Sequence, residues 1–241
     1  MLQLIIYSMT AGIATLLGAL AVLARGELSR QTIDRLMGFG SGVLISAAFL
    51  HLIPGAIERA PLTAGWAMLA SLLLFIAIEQ FVHARAEHHH HHVHGIAVVG
   101  VMGFTALFIH SLVDGLAIAA GFRVSQELGL AASLAVIAHE VPEGITSVSM
   151  FAAAGYTRRL NLLLASLVAL ATPGGAIISW FWTSGIGEKS LVALLGFAAG
   201  SFIYVATADI LPRLHEERDI PAFFYLLLGV SIPAMLLFLE G

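Results

Sequence analysis

Two short stretches hold the residues of this chain best suited to chemistry: His110-Ser111-Leu112-Val113-Asp114-Gly115 and His139-Glu140-Val141-Pro142-Glu143-Gly144. Each reads His, three residues, an acid, then Gly, and a constant offset of 29 relates the two. Positions i and i+4 share one face of a helix, so each stretch sets an imidazole beside a carboxylate. Both lie in apolar runs long enough to cross a bilayer. An ionised side chain there costs about 2.5–3.5 kcal/mol even on the lenient insertion scale, so Asp114, Glu140 and Glu143 require a cation, a proton or a partner. Two imidazoles and two carboxylates supply four donors and two negative charges, which a dication neutralises. With no cysteine in the chain, the available donors are nitrogen and oxygen, a set that suits zinc, iron, manganese, nickel or cobalt. Pro142 has no N–H to give the carbonyl of Ala138, which leaves another oxygen within reach. The alternative is a hydrogen-bond network that joins two helices and binds nothing.

These residues must be positioned by membrane helices. The chain is 59% hydrophobic and 11% charged, with mean hydropathy +0.95. That composition excludes a soluble globular domain and predicts an all-α polytopic membrane protein. Apolar runs read as eight transmembrane helices: Leu2 to Leu23, Met37 to Ile57, Ala64 to Val82, Ile96 to Phe122, Leu128 to Gly155, Leu160 to Trp182, Leu191 to Leu211, and Ile220 to Leu239. Each has about the 20 residues that a spanning helix needs. They are continuously apolar rather than alternating, which argues against a barrel. Connections are short, so 1–241 reads as a single transmembrane domain with a His-rich loop at 84–95. The first run lacks a basic leader and a cleavage site and is expected to be retained. Eight of the 11 Lys and Arg residues fall in the loops after odd-numbered spans, namely Arg25, Arg30, Arg35, Arg85, Arg158, Arg159, Arg213 and Arg218. The positive-inside rule therefore puts those loops in the cytoplasm and both termini outside. Net charge is −4, without a basic patch for nucleic acid.

An internal repeat organises the spans. Gly38, Phe39, Gly42, His51, Pro54 and Glu58 of span two reappear as Gly196, Phe197, Gly200, Asp209, Pro212 and Glu216 of span seven, each displaced by 158. Five spans intervene, so the copies cross in opposite senses. Spans 1–3 and 6–8 then form an inverted repeat around central spans 4 and 5, an arrangement that places substrate sites at the midplane between halves.

The two central motifs together resemble the signatures of the ZIP (Zrt/Irt-like) metal transporters. The resemblance covers the whole chain, including eight spans, outside termini and a His-rich loop between spans three and four. It implies uptake of a divalent metal toward the cytoplasm across the plasma (inner) membrane. Zinc is the foremost substrate implied, with iron, manganese or cadmium also, carried as cargo rather than held as a prosthetic group. It implies a primary metal site of His110, Asp114, Glu143 and His139, and a homodimer. Many relatives have Asn after the first His and Glu before the span-six Pro, helping to form a second metal position. Here those places are Ser111 and Thr172, so one metal is expected, with Ser111 and Glu140 as outer or transient ligands.

Other polar residues extend a pathway. His51, toward the outer side, is expected to assist entry, and Asp209, with His215 and Glu216, to assist release. Neutral imidazoles bind transition metals, so His88, His89, His90, His91, His92 and His94 form a weak acceptor or sensor. Helix packing or a solvated loop is the plainer reading of each. Glu79 and Gln80 read as interhelical hydrogen bonders, Gly174 and Gly175 as a notch or hinge, and Trp66, Trp180 and Trp182 as interfacial anchors. Two other classes compete. His139-Glu140-x-x-Glu143 approaches the motif of a metal-dependent hydrolase but lacks the second His at 143; Glu140 would be its only general base. A metal-gated receptor or channel is the third class.

Overall fold

The computed structural model describes residues 1–26, 29–88, 94–217 and 220–240, with side chains over 1–24, 26, 29–81, 100–208 and 220–236. Every regular element in these residues is helical. In chain order they are α1 (Leu2–Arg25), α2 (Arg30–Ile57), α3 (Pro61–His88), α4 (His94–Val124), α5 (Gln126–Ala153), α6 (Arg158–Trp182), α7 (Glu188–Glu217) and α8 (Ile220–Glu240). Seven are long and apolar enough to cross a membrane over their described residues, and Ile220–Leu236 of α8 adds a shorter apolar stretch. The chain is an all-α, multi-pass membrane protein.

Local chemistry sets the helix ends. Ser29, Ser125 and Thr157 cap α2, α5 and α6, their hydroxyls accepting from the backbone N–H of Thr32, Leu128 and Leu160, as short hydroxyl side chains do at helix starts. Gly155 takes φ 76° just past α5, while the Tyr156 N–H returns to Phe151; this left-handed stop favours glycine. α2 begins at Arg30, seven residues before its apolar run, because the Ser29 cap nucleates a polar first turn. Residues Ala48–Leu52 of α2 wind as a π turn just before Pro54. The wider turn accommodates a proline ring that would clash with the carbonyl four residues back.

The helices pack as two groups. One comprises α1, α4, α5 and α6; the other α2, α3, α7 and α8. Glycines show why each group holds together. A Cβ on Gly144 would strike the Thr15 carbonyl, and one on Gly115 the Thr172 carbonyl. In the second group Gly42 lies against Leu226 and Gly200 against Met68. Without an apolar driving force between helices in lipid, such close backbone approach is what binds them. These contacts also follow the repeat. Gly42 and Gly200 differ by 158 positions, as do their partners Met68 and Leu226. Exchanging α2 with α7 and α3 with α8 therefore maps one contact onto the other. Between the groups the closest glycine approach to a helix backbone is Gly40, whose Cβ would lie 3.1 Å from the Cα of His139.

Candidate metal centre

The i, i+4 spacing turns His110 and Asp114 of α4 toward His139 and Glu143 of α5. All four are buried, with one donor atom from each lying within 4.8 Å of the rest. Imidazole and carboxylate alternate around the ring. His110 Nε2 lies 3.3 Å from Asp114 Oδ2 and 3.5 Å from Glu143 Oε2; His139 Nε2 lies 3.2 Å and 3.8 Å from the same two oxygens. A tetrahedral ion with bonds of about 2.0–2.2 Å spaces its donors about 3.3–3.6 Å apart. The four imidazole–carboxylate distances lie within a few tenths of an ångström of that spacing, and the remaining two pairs are held within 4.8 Å.

Hydrogen bonding leaves these atoms available to a cation. His139 Nδ1 lies 2.9 Å from the Ala135 carbonyl, which can only accept. Nδ1 therefore carries a proton, and Nε2 faces Asp114 and Glu143, 3.2 Å from Asp114 Oδ2. Neither nitrogen of His110 makes a hydrogen bond, nor does Asp114 Oδ1 or Glu143 Oε2. Lone pairs converging in a buried space repel unless something positive lies among them.

The flanking polar groups serve different ends. The Ser111 hydroxyl sits 2.8 Å from Glu143 Oε1 and also reaches the Leu107 carbonyl at 3.0 Å. Glu140 lies outside the ring of four. Both its oxygens accept from threonine, Oε2 from Thr15 on α1 and Oε1 from Thr172 on α6 at 2.7 Å. Thr15 was not singled out from the sequence. Thr15 and Thr172 lie 157 residues apart, one short of the displacement of 158 that relates α2 to α7, so the repeat does not pair them. Removing both hydroxyls (Thr15→Val, Thr172→Val) strands a buried carboxylate, at about 1–3 kcal/mol for each lost partner. A lowered thermal midpoint in detergent is the expected result.

A cavity of about 330 Å³ adjoins the ring, reaching His110, His139 and Glu143 but not Asp114. Its walls are Met37 and Leu44 of α2, Phe75 and Ile78 of α3, Leu107 of α4 and Tyr204 of α7, among others. These belong to the helix halves that meet the α1–α2, α3–α4, α5–α6 and α7–α8 connections. On the other side of the ring Leu52, Ala135, Val136, Leu195 and Phe202 pack in an apolar core. The cavity approaches the ring from the first of these sides.

Residues outside the ring have their own places. His51 is buried in the π turn of α2, its Nε2 2.9 Å from the Pro233 carbonyl of α8, apart from the cavity lining. Glu79 lines the cavity and accepts from the Tyr204 hydroxyl, an interhelical bond between α3 and α7. Gly175 forms a notch against the Leu112 backbone within continuous helix. Trp66 and Trp182 are exposed, as anchors are, but Trp180 turns inward. Its ring lies 3.8 Å from the Arg123 guanidinium, and its carbonyl accepts from the same side chain. A cation on an aromatic face here ties the end of α4 to α6. Asp209, His215, Glu216 and the tract His88, His89, His90, His91, His92 and His94 lie outside the residues whose side chains are described.

In sequence the chain matches known zinc transporters. A family model described as ZIP Zinc transporter matches residues 83–237. Among similar proteins, "Zinc transporter ZIP13" of Pongo abelii is 29% identical over 218 residues, covering 83% of this chain and 64% of that protein. "Zinc transporter zipt-7.2" of Caenorhabditis elegans is 26% identical over 260 residues, covering 82% and 56%. "Zinc transporter ZIP4" of Homo sapiens is 37% identical over 125 residues, 52% of this chain and 19% of the relative. The chain thus spans about three-fifths of the length of the first two.

Proposed function

This chain belongs to the ZIP family, and on that footing we propose that it carries a divalent transition metal, zinc foremost and also iron, manganese or cadmium, into the cytoplasm. The observation that carries the reading is the ring of His110, Asp114, His139 and Glu143, four buried nitrogen and oxygen donors within 4.8 Å of one another. The ion sits singly among two imidazoles and two carboxylates, electrically neutral with its donors. Ser111 steadies Glu143 by its hydrogen bond, and Glu140, engaged by two threonines, supports α5 from behind.

Transport proceeds by alternating access. The ring sits on α4 and α5, in the group completed by α1 and α6. The cavity lies between that group and the walls supplied by α2, α3 and α7. Movement of one glycine-bound group against the other closes this approach and opens the opposite one. By the distribution of Lys and Arg the cavity side is the cytoplasmic side, so the structure is inward-facing. Lipid surrounds a chain with both termini outside, and a second copy completes a homodimer. At the ring's outer and inner sides, His51 and the group Asp209, His215 and Glu216 serve entry and release. The His-rich segment receives metal on the inner side.

The hydrolase reading loses ground at Glu140. The only general base available to it has both oxygens occupied by hydroxyls.

Proteoliposomes holding the purified chain test the proposal. Saturable uptake of zinc, with manganese or cadmium competing, is expected; vesicles that take up no divalent metal would refute it. Metal ligands must be deprotonated, so acidification competes with the ion. Uptake at fixed free zinc should fall as the pH on the entry side is lowered, and a rate unchanged between neutral and mildly acid pH contradicts direct carboxylate and imidazole ligation.

A further inference from the structure

The cavity beside the ring is a poor passage for a hydrated dication. Of its walls beyond the ring, only Ser41, Glu79, Thr146 and Tyr204 are polar, and Tyr204 already donates to Glu79. The rest is apolar or aromatic. Phe75 stacks on Tyr204 with centroids 5.5 Å apart and presents its edge to the His110 ring at 6.4 Å. An ion that left four donors unaided would exchange them for water between hydrocarbon walls. The space is ample for something else, because about 330 Å³ exceeds the ~30 Å³ of one water roughly tenfold.

We propose that this cavity binds a small neutral nitrogen donor of the imidazole class, which enters beside Phe75 and Tyr204 and removes the ion by ligand exchange. The inference rests on the transport reading and names the acceptor that the same site would use. Three observations select the donor. A dication held by Asp114 and Glu143 would be neutral with them, so an anionic acceptor would bring uncompensated charge into a cavity already lined by Glu79. The walls favour a flat apolar body over a charged one. The cavity reaches His110, His139 and Glu143 but not Asp114, so attack comes at the face away from Asp114. The two imidazoles are also unequal: His139 is held by the Ala135 carbonyl, while His110 Nδ1 makes no hydrogen bond.

The exchange moves no electron between atoms. The lone pair of the entering nitrogen forms a bond to the ion as the bond from Glu143 Oε2 breaks, and this first exchange sets the rate. The bonds to Asp114, His110 and His139 then break in turn as further imidazole or water donors replace them, so that the ion leaves as a dication complex. Glu143 keeps its lone pair and its negative charge, and the Ser111 hydroxyl bonded to its Oε1 supports the freed carboxylate. Release is then first order in acceptor.

Purified full-length chain in detergent, loaded with zinc, is mixed with excess of a dextran-coupled colorimetric chelator too large for the cavity. Imidazole is added at mildly alkaline pH, where it is neutral. Release should accelerate linearly with imidazole, by about tenfold at millimolar levels, equivalent to about 1.4 kcal/mol of barrier. Imidazole linked to a polymer should produce no acceleration. Ala106→Trp and Ala208→Trp each narrow the cavity away from the ring; either variant that still binds zinc with unchanged affinity should lose the response. A rate independent of imidazole, an equal effect of the polymer-linked form, or a response retained in the zinc-binding variants overturns the inference. Failure of the wild-type chain to bind zinc at all would instead overturn the transport reading, and this inference with it.

Discussion

Asp114→Ala is expected to lower zinc affinity by more than the ~10–100-fold typical of losing a group that merely supports a ligand. Asp114 is fully buried, and its Oδ2 contacts both imidazoles, at 3.3 Å and 3.2 Å. Deleting it removes one of two compensating charges as well as one donor. His110→Ala takes away a donor without a charge and should cost less. The order of effects is the discriminating feature, because a purely structural hydrogen-bond network predicts a stability loss and no loss of metal. Isothermal titration of zinc into purified variants measures the order. Equal affinity in wild type and Asp114→Ala would remove Asp114 from the site.

The second large effect is structural. In Gly144→Ala the new methyl would overlap the Thr15 carbonyl and approach the Ala19 backbone nitrogen at 3.0 Å. Both obstacles are helix backbone, so α1 and α5 must separate. Overpacking of this kind costs about 1–3 kcal/mol, occasionally more. Gly174→Ala is the matched control. Gly174 lies inside α6 with nothing within 4 Å of its Cβ position, and alanine in a helix interior is favoured over glycine by roughly 0.5–1 kcal/mol. Thermal unfolding in detergent should show the first variant lowered and the second unchanged or raised. A Gly144→Ala protein as stable as wild type would mean that α1 and α5 are not locked at Thr15.

Much of this was legible beforehand, for identifiable reasons. The apolar runs located the helices, because bilayer thickness fixes how long they must be. The i, i+4 spacing of His110 with Asp114 and His139 with Glu143 brought four donors to the α4–α5 boundary, as helical geometry requires. The displacement of 158 anticipated which helix pairs exchange.

What escaped the reading depends on partners distant in sequence. The Thr15–Glu140–Thr172 clamp joins three helices, and no spacing within one segment announces it. The approach of His51 Nε2 to the Pro233 carbonyl across α2 and α8 is another contact between segments far apart in the chain. Trp180, grouped with the interfacial tryptophans, carries Arg123 on its face. Apolar patterning reports that a helix is in lipid, but not which side of a buried site is packed. The cavity and its aromatic lining therefore emerge only in three dimensions.

The central claim is that one divalent ion is held by two imidazoles and two carboxylates from α4 and α5. X-ray absorption at the zinc edge of the purified, zinc-loaded chain tests it most directly. Four nitrogen and oxygen donors at about 2.0–2.2 Å are expected, with the multiple-scattering signature of two imidazoles that falls to one in His139→Ala. A zinc shell of water and carboxylate oxygen alone, unchanged by His139→Ala, would contradict the account.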